Sequence, residues 1–236
     1  MDNRYARSIA IFGEEGQLKL NNSHVAVFGL GGVGSYAVES LARSGVGKIT
    51  LIDNDEYSTS NLNRQLFATE KTVGKLKTEV AKQRILEINS KIEVTLYNAF
   101  ILDTENDGID FTKFDYVIDA IDTVSGKLSI IKRANKASVP VISCMSAGNK
   151  LDATLFKVDD IFNTSVCPLC KVMRKLLKEN GITKLKVVYS TEEPIKPKFT
   201  LNELKGSRPA PASVSFVPSV MGLIASGEVI KYLAGI

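Results

Sequence analysis

The chain has 236 residues, 44% hydrophobic and 24% charged, with a formal net charge of +4. These are ordinary globular values with length enough for a sizeable core, and so mild a charge permits nucleic-acid binding without arguing for it. Three cysteines, an odd number, and no recognisable signal segment set aside a disulfide scaffold and point to a reducing cytoplasm.

Residues 1–20 are polar with a helical pattern, carrying Arg4-Tyr5-Ala6-Arg7 and an apolar patch of Ile9, Ile11 and Phe12. They read as a surface helix packed on the core. The organising stretch is 24–53. A β-branched apolar run (25–28) is followed at once by Gly29-Leu30-Gly31-Gly32-Val33-Gly34, a helical segment (35–44) and a second strand (49–52) ending in Asp53. That is one βαβ unit with the dinucleotide fingerprint. Its glycines allow a tight turn and close backbone approach, the helix N-terminus attracts phosphate, and Asp53 can accept hydrogen bonds from a ribose. Alone, the motif means a nucleotide phosphate beside a helix, and a structural glycine-rich turn is the alternative. His24, the one histidine, stands at the mouth of the first strand in a structural position, which disfavours any mechanism with a histidine base.

A long polar connection follows, including Asn61 and Arg64, and then a helical pattern over 72–89 whose first turn would be Gly74-Lys75-Leu76-Lys77. Two lysines there would lie where an anion sits. Strands are expected at 92–97 and 114–118. The second leads into Asp119-Ala120-Ile121-Asp122, a helix through 137 and a strand at 139–144. Carboxylates past a strand's carboxyl end lie where open α/β sheets bind ligands, although Asp122 or Thr123 could simply cap the next helix.

The second half changes character. Strands are expected at 153–158 and 185–189, with a basic amphipathic helix at 169–180 between them. Residues 167–208 hold ten Lys/Arg against four Glu, a local excess of six, which in most proteins is only a solvated face. The loop 191–212 carries four of the seven prolines and reads as mobile, so the basic, partly mobile segment spans about 167–212. A last strand at 214–217 and a buried helix at 218–233 close the chain, with Gly222, Ala225 and Gly227 permitting close packing. The longest uncharged stretch, 209–227, contains three prolines and makes a poor membrane span. Without an internal repeat or a second core, the expectation is a single domain over 1–236. Its fold class is α/β, a Rossmann-like, largely parallel open sheet with helices on both faces and a C-terminal α+β extension.

In this order, RYAR, GLGGVG, LIDND, SNLNRQ, GKLK and DAIDT resemble the ubiquitin-activating-type adenylation family, whose bacterial members include the ThiF, MoeB and HesA proteins. The resemblance implies ATP as the nucleotide and an acyl-adenylate as the product. It assigns Gly29, Gly31 and Gly34 to the phosphate loop, Asp53 to the ribose, Asn61, Arg64 and Lys77 to the phosphates, and Asp122 to Mg²⁺. It makes Arg7 an arginine finger reaching into the neighbouring subunit of a homodimer. Thr123 departs from the family, where many members carry Asn.

The C-terminal third, SVCPLCKVMRKLLKENGI, LKVVYSTEEP and SFVPSVMGLIASGEVIKYL, resembles the branch that dehydrates tRNA threonylcarbamoyladenosine to its cyclic form. That implies a cytoplasmic tRNA-modifying enzyme with no role at a membrane, and gives Lys171, Arg174, Lys175 and Lys178 tRNA phosphates to meet. Three readings compete. An enzyme adenylating the C-terminal glycine of a sulfur-carrier protein commonly binds zinc through two CxxC pairs. This chain has only Cys167, Cys170 and Cys144, so no structural zinc is expected. An NAD(P)-dependent oxidoreductase leaves Arg64, Lys77 and Arg7 idle. A silent nucleotide-binding module fits poorly with an intact charged set. Sulfur-relay partners are not legible.

Overall fold

The computed structural model describes residues 3–99, 101, 107–199 and 211–236. Within them the strands are β1 (His24–Phe28), β2 (Lys48–Ile52), β3 (Glu93–Tyr97), β4 (Tyr116–Asp119), β5 (Val141–Cys144), β6 (Phe156–Asp160) and β7 (Lys186–Ser190). The α-helices are α1 (Ala6–Asn22), α2 (Gly34–Ser44), α3 (Lys77–Ile88), α4 (Val124–Lys136), α5 (Pro168–Glu179) and α6 (Phe216–Ala234). The strands form one sheet in the order β3-β2-β1-β4-β5-β7-β6, parallel throughout except for the antiparallel edge strand β6. The expected α/β class holds.

A parallel strand covered on both faces must be apolar at every position. In β1, Val25 and Val27 join α2 and α6 residues (Val38, Leu41, Met221, Val229) in one cluster. Ala26 and Phe28, one register step away, face the other side with Ile130 and Ala134 of α4. The sheet is therefore sandwiched, and its carboxyl edge, where the connections are polar, is left open. His24 is structural as expected: Nε2 lies 2.8 Å from Thr50 Oγ1 and the ring meets the Phe114 ring edge-on at 5.0 Å. Burial holds its pKa below the usual histidine value.

Several expectations are corrected. The N-terminal helix is bent, because Gly13 takes φ +73° and ψ 168° inside α1. The helix expected from 72 starts only at Lys77. The preceding residues turn through Gly74 (φ +80°) and bond to the 55–57 backbone instead, Lys77 N–H to Asp55 O and Tyr57 N–H to Lys75 O. Residues 153–155 form a 3₁₀ turn ahead of β6. The strand expected at 214–217 is the entry to α6, whose first turn tolerates Pro218. Residues 168–179 and 186–190, inside the segment read as partly mobile, are α5 and β7, with Met173 and Leu177 in the core. Positions 200–210 of that segment lie outside the described residues. Helix α6 is long and apolar enough to cross a bilayer, but half of its apolar window is buried in this fold.

The α6 glycines also part company. A Cβ on Gly222 would sit 2.2 Å from Val33 O at the start of α2, whereas one on Gly227 meets nothing within 4 Å. Gly222→Ala should therefore lose about 1–3 kcal/mol of unfolding free energy in urea titration, by forcing α6 off α2. Gly227→Ala should gain about 0.4–1 kcal/mol in the same assay through the unfolded chain.

Candidate active site

A cleft of about 1060 Å³ opens at the carboxyl edge of the sheet. Its floor is the glycine loop, whose three glycines do different work. Gly29 has φ +87°, and a Cβ there would meet Ala120 O at 2.8 Å, so the turn out of β1 needs glycine. Gly31 faces open space, with only Gln65 Nε2 at 3.8 Å from a Cβ position, which leaves room for a ligand against the backbone. Gly34 is buried and does not line the cleft; a Cβ on it would lie 1.7 Å from Gly29 O. It lets α2 begin against the strand end. The first turn of α2 has no side-chain cap; Ser35 N–H donates to Gly31 O at 3.1 Å, and the other N–H groups at that helix end are placed to meet an anion.

Four polar side chains converge around the loop. The Asp53 carboxylate accepts from Leu30 N–H at 2.6 Å and Asp55 N–H at 2.8 Å, which fixes it beside the glycine loop. Desolvation by burial raises its pKa above the ordinary carboxylate value, against the pull of Lys77 and those two N–H groups. Lys77, only 6% exposed in its side chain, donates from Nζ to Asp55 Oδ2 at 2.8 Å. Arg64 donates to Ser60 O at 2.8 Å and Asn63 Oδ1 at 3.0 Å, neutral partners that leave its charge uncompensated. Asn61 closes the Thr59–Asn61 3₁₀ turn by accepting from Ser58 N–H through Oδ1 at 3.0 Å. Asn63 Nδ2 reaches Ser213 O at 3.1 Å, tying the rim to the segment that enters α6.

Asp122 stands exposed on the opposite wall, just beyond β4. It does not cap α4; the capping residue is Thr123, which makes no side-chain capping bond. Beneath this wall lies a fully buried ion pair. Lys127 Nζ donates to Asp119 Oδ2 at 3.1 Å and to Cys144 O at 2.6 Å, while Ser143 Oγ donates to Asp119 Oδ2 at 2.5 Å.

The remaining expected residues lie elsewhere. Arg7 is exposed on α1, outside the cleft. Just before it, Arg4 donates to Ile88 O at 3.4 Å, and the Tyr5 hydroxyl accepts from Asn89 Nδ2 at 2.9 Å, both at the C-terminal end of α3. The Tyr5 ring also crowds Gly45, which caps the C-terminal end of α2. Those helix ends flank the amino edge of the sheet, the whole 11-residue length of α2 from the glycine loop, about 16 Å at 1.5 Å per residue. On α5, Lys171, Lys175 and Lys178 are exposed, but Arg174 turns back to bond the Thr164 hydroxyl and the Thr164 carbonyl, the latter at 3.0 Å. Lys75 faces a separate 650 Å³ groove against α3 that contains neither the glycine loop nor Lys77.

Sequence reasoning missed three residues. Ser35 Oγ donates to Gly31 O at 2.7 Å and accepts from Leu66 N–H at 3.2 Å, bolting the glycine loop to the Arg64 loop. Asp55 aims Lys77. Gln65, 7% exposed on the cleft wall, has an Oε1 with no hydrogen-bond partner among the described residues. All three lie inside or beside the quoted motifs; what those motifs do not carry is the contact each makes.

Comparison with known proteins agrees with this geometry. The ThiF family model matches residues 5–236. The chain is 41% identical to the tRNA threonylcarbamoyladenosine dehydratase of Bacillus subtilis (strain 168), over 99% of this chain and 95% of that protein. The structure of the E. coli tRNA N6-threonylcarbamoyladenosine dehydratase TcdA in complex with ATP superposes with a TM-score of 0.87 at 31% identity, covering 98% of this chain and 94% of that one. Similarity to the molybdopterin-synthase adenylyltransferase of Escherichia coli (strain K12) is 35%, over 76% of this chain and 71% of that protein.

The Asp122 wall of the cleft depends on the Lys127–Asp119 pair. Lys127→Met should cost about 3–5 kcal/mol in urea unfolding, because it strands a buried carboxylate.

Proposed function

The chain belongs to the ThiF family, and from that premise we infer that it uses ATP to dehydrate threonylcarbamoyladenosine in tRNA to the cyclic nucleoside. The observation that carries the reading is the joining of a glycine-loop anion cradle, a ribose-type carboxylate (Asp53) and two cations (Arg64, Lys77) in one cleft, in a chain similar end to end to dehydratases of that name. The partial likeness to a carrier-protein adenylyltransferase supports the same adenylation chemistry with a different acceptor.

The steps follow from the charges. The threonyl carboxylate attacks the α-phosphorus of ATP, the bond to the β-phosphate breaks, and pyrophosphate leaves. Negative charge grows on the phosphorus oxygens and the leaving group, and Arg64, Lys77 and the first turn of α2 offer preorganised positive ends to meet it. The substrate's own carbamoyl group then closes the ring on the activated carbonyl, releases one N–H proton to solvent, and expels AMP. An ionised carboxylate needs no general base, in keeping with a cleft that contains no histidine. The Asp53 carboxylate offers its remaining lone pairs to the ribose hydroxyls, and Asn61 Nδ2 is free to turn toward phosphate oxygens.

Mg²⁺ suits this donor set. The exposed carboxylate of Asp122 lines the cleft beyond β4, apart from the exposed Asp55 and Glu56 beyond β2, and Mg²⁺ is characteristically held by one or two carboxylates together with substrate phosphates. Bound there, the ion would neutralise phosphate charge.

Arg7 acts in this proposal across a homodimer, since its place at the amino edge puts its own cleft out of reach. The tRNA is met by the exposed lysines of α5 (171, 175 and 178), whose N-terminal turn reaches the cleft through Leu169. Arg174 instead holds the start of α5. The enzyme works in the cytoplasm, where its tRNA is.

Incubation with threonylcarbamoyl-tRNA, ATP and Mg²⁺ should yield the cyclic nucleoside by mass spectrometry, with one AMP and one pyrophosphate per ring closed. Unchanged nucleoside alongside adenylation of a Gly-Gly carrier protein would overturn the proposal.

The dimer claim has its own test. Arg7→Ala and Asp122→Ala should each lower turnover by roughly 10²–10³. Mixing the two inactive dimers and letting subunits exchange should restore up to about a quarter of parental activity, because each heterodimer regains one complete site. Verified exchange without recovery would mean that Arg7 serves its own subunit.

A further inference from the structure

Arg64 and Gln65 are consecutive residues, and each covers one of two consecutive glycines of the cleft floor. A Cβ on Gly32 would meet Arg64 Cγ at 3.4 Å, and one on Gly31 would meet Gln65 Nε2 at 3.8 Å, the nearest atom outside its chain neighbours. The guanidinium has a place in the adenylation chemistry; the amide beside it has none. Yet Gln65 is held firmly. Its N–H donates to Asn61 O and its carbonyl accepts from Ala68 N–H, both at 3.0 Å. Ser35 then clips the next residue to the glycine loop, accepting from Leu66 N–H at 3.2 Å and donating to Gly31 O at 2.7 Å. The backbones of the two loops therefore set the spacing between Gln65 and Gly31.

Three amide side chains are buried among the described residues: Gln17, Gln65 and Asn89. Gln17 Nε2 donates to Ser44 O at 3.0 Å and Asn89 Nδ2 to the Tyr5 hydroxyl at 2.9 Å, so both join separate segments of the fold. The Gln65 amide bonds to no described residue at either end. Its Oε1 is sealed from solvent without a partner, a standing cost in the free protein that calls for an explanation. At 7% exposure on the cleft wall, this amide gives the fold nothing that an apolar side chain of similar length would not. What it places is a nitrogen over the open face of Gly31, where the cleft would take its ligand.

The neighbouring residue fixes which ligand atom meets that nitrogen. Leu30 N–H donates to Asp53, the ribose-type carboxylate, at 2.6 Å. The phosphate over the next residue, Gly31, is then the one esterified to that ribose. We propose, resting on the reading of this cleft as an ATP site, that Gln65 is a substrate-contacting residue whose Nε2 donates a hydrogen bond to a non-bridging oxygen of the α-phosphate. That phosphate is attacked in the adenylation step and departs within AMP, so the bond serves ATP, the acyl-adenylate and AMP alike. Arg64 supplies charge at this end of the cleft. Gln65 supplies direction, as a neutral donor that orients the phosphorus without adding a second full charge to grip the product.

The test measures binding of ATP, AMP and adenosine to the full-length protein by calorimetry, with Gln65→Leu and Gln65→Glu beside the parent. Gln65→Leu should weaken ATP and AMP by the same factor, about tenfold, as expected for one hydrogen bond to a charged group, and leave adenosine within about twofold. Gln65→Glu keeps the shape of the side chain, and its carboxylate should weaken AMP at least about tenfold further by repulsion, again without moving adenosine. Since the orphaned Oε1 is gone, the urea midpoint of Gln65→Leu should equal or exceed the parent's. Adenosine affinity lost in step with AMP would show that Gln65 only shapes the cleft, and AMP affinity unchanged in both variants would show that it touches no phosphate; either result overturns the proposal. A parent protein that binds neither ATP nor AMP would overturn the ATP reading itself, before any variant is compared.

Discussion

Two opposite charges with no solvent exposure sit under the cleft, and the position of its far wall depends on them. Lys127 and Asp119 are both fully buried. Desolvating such a pair costs several kcal/mol per ion, so geometry must return it through satisfied hydrogen bonds. Here it does. The ammonium of α4 reaches the carboxylate at the end of β4 and the carbonyl of Cys144 at the end of β5, while Ser143 adds a third bond to the same carboxylate. Three elements are thereby pinned at the point where the sheet stops and the cleft begins. Asp122 follows Asp119 by one short turn, and Met145 and Ser146 follow Cys144, so both sides of that wall inherit their position from one buried ammonium.

The charges of the proposed site are held differently. Asp53 is held by backbone N–H groups and Arg64 by a carbonyl and an amide, so neither is neutralised before a ligand arrives. Lys77 alone among them is paired, with Asp55. That carboxylate is 60% exposed, so its hold on the ammonium is screened by water and loosens readily. A highly charged polyphosphate entering the cleft would compete for Lys77 with a weak partner. Fixed direction with little standing neutralisation is what a site stabilising developing negative charge requires.

Much of this was legible because the glycine loop and its neighbours obey local rules. Gly29 is demanded by a positive φ and Gly34 by backbone contact, and both demands are visible in the spacing alone. The carboxylates beyond β2 and β4 follow from where parallel strands end. What failed to show were contacts between segments distant in sequence. The pattern at 72–76 is helical by periodicity, yet its backbone pairs with residues 55–57, and no window on 72–89 contains that information. Gly222 and Gly227 look alike in the sequence of α6, but only the first meets α2. Arg174 reads as part of a basic stripe, and only the fold brings Thr164 to its guanidinium. Gln65 could be quoted within a motif, but nothing in the motif shows that its Oε1 has no hydrogen-bond partner among the described residues.

The geometry of the N-terminal segment extends the argument from the fold to the assembly. Helices α2 and α3 run back from the carboxyl edge, so their C-terminal ends mark the amino edge as surely as the glycine loop marks the other. Tyr5 is buried at 6% exposure between those ends, with its hydroxyl bonded to Asn89. A residue anchored that firmly cannot swing, and Arg7 lies two positions further on, within the first turn of α1. Bringing its guanidinium to the cleft of its own subunit would mean pulling Tyr5 out of the core and losing the bonds to Ile88 and Asn89. A second copy of the chain requires no such rearrangement, because it can present its own α1 from outside with the anchor intact. If Arg7 takes part in the chemistry, the anchoring of Tyr5 is therefore the physical argument for the homodimer proposed above. Under the proposed dimer, the packing that keeps Arg7 out of its own cleft leaves its exposed side chain available to a second copy.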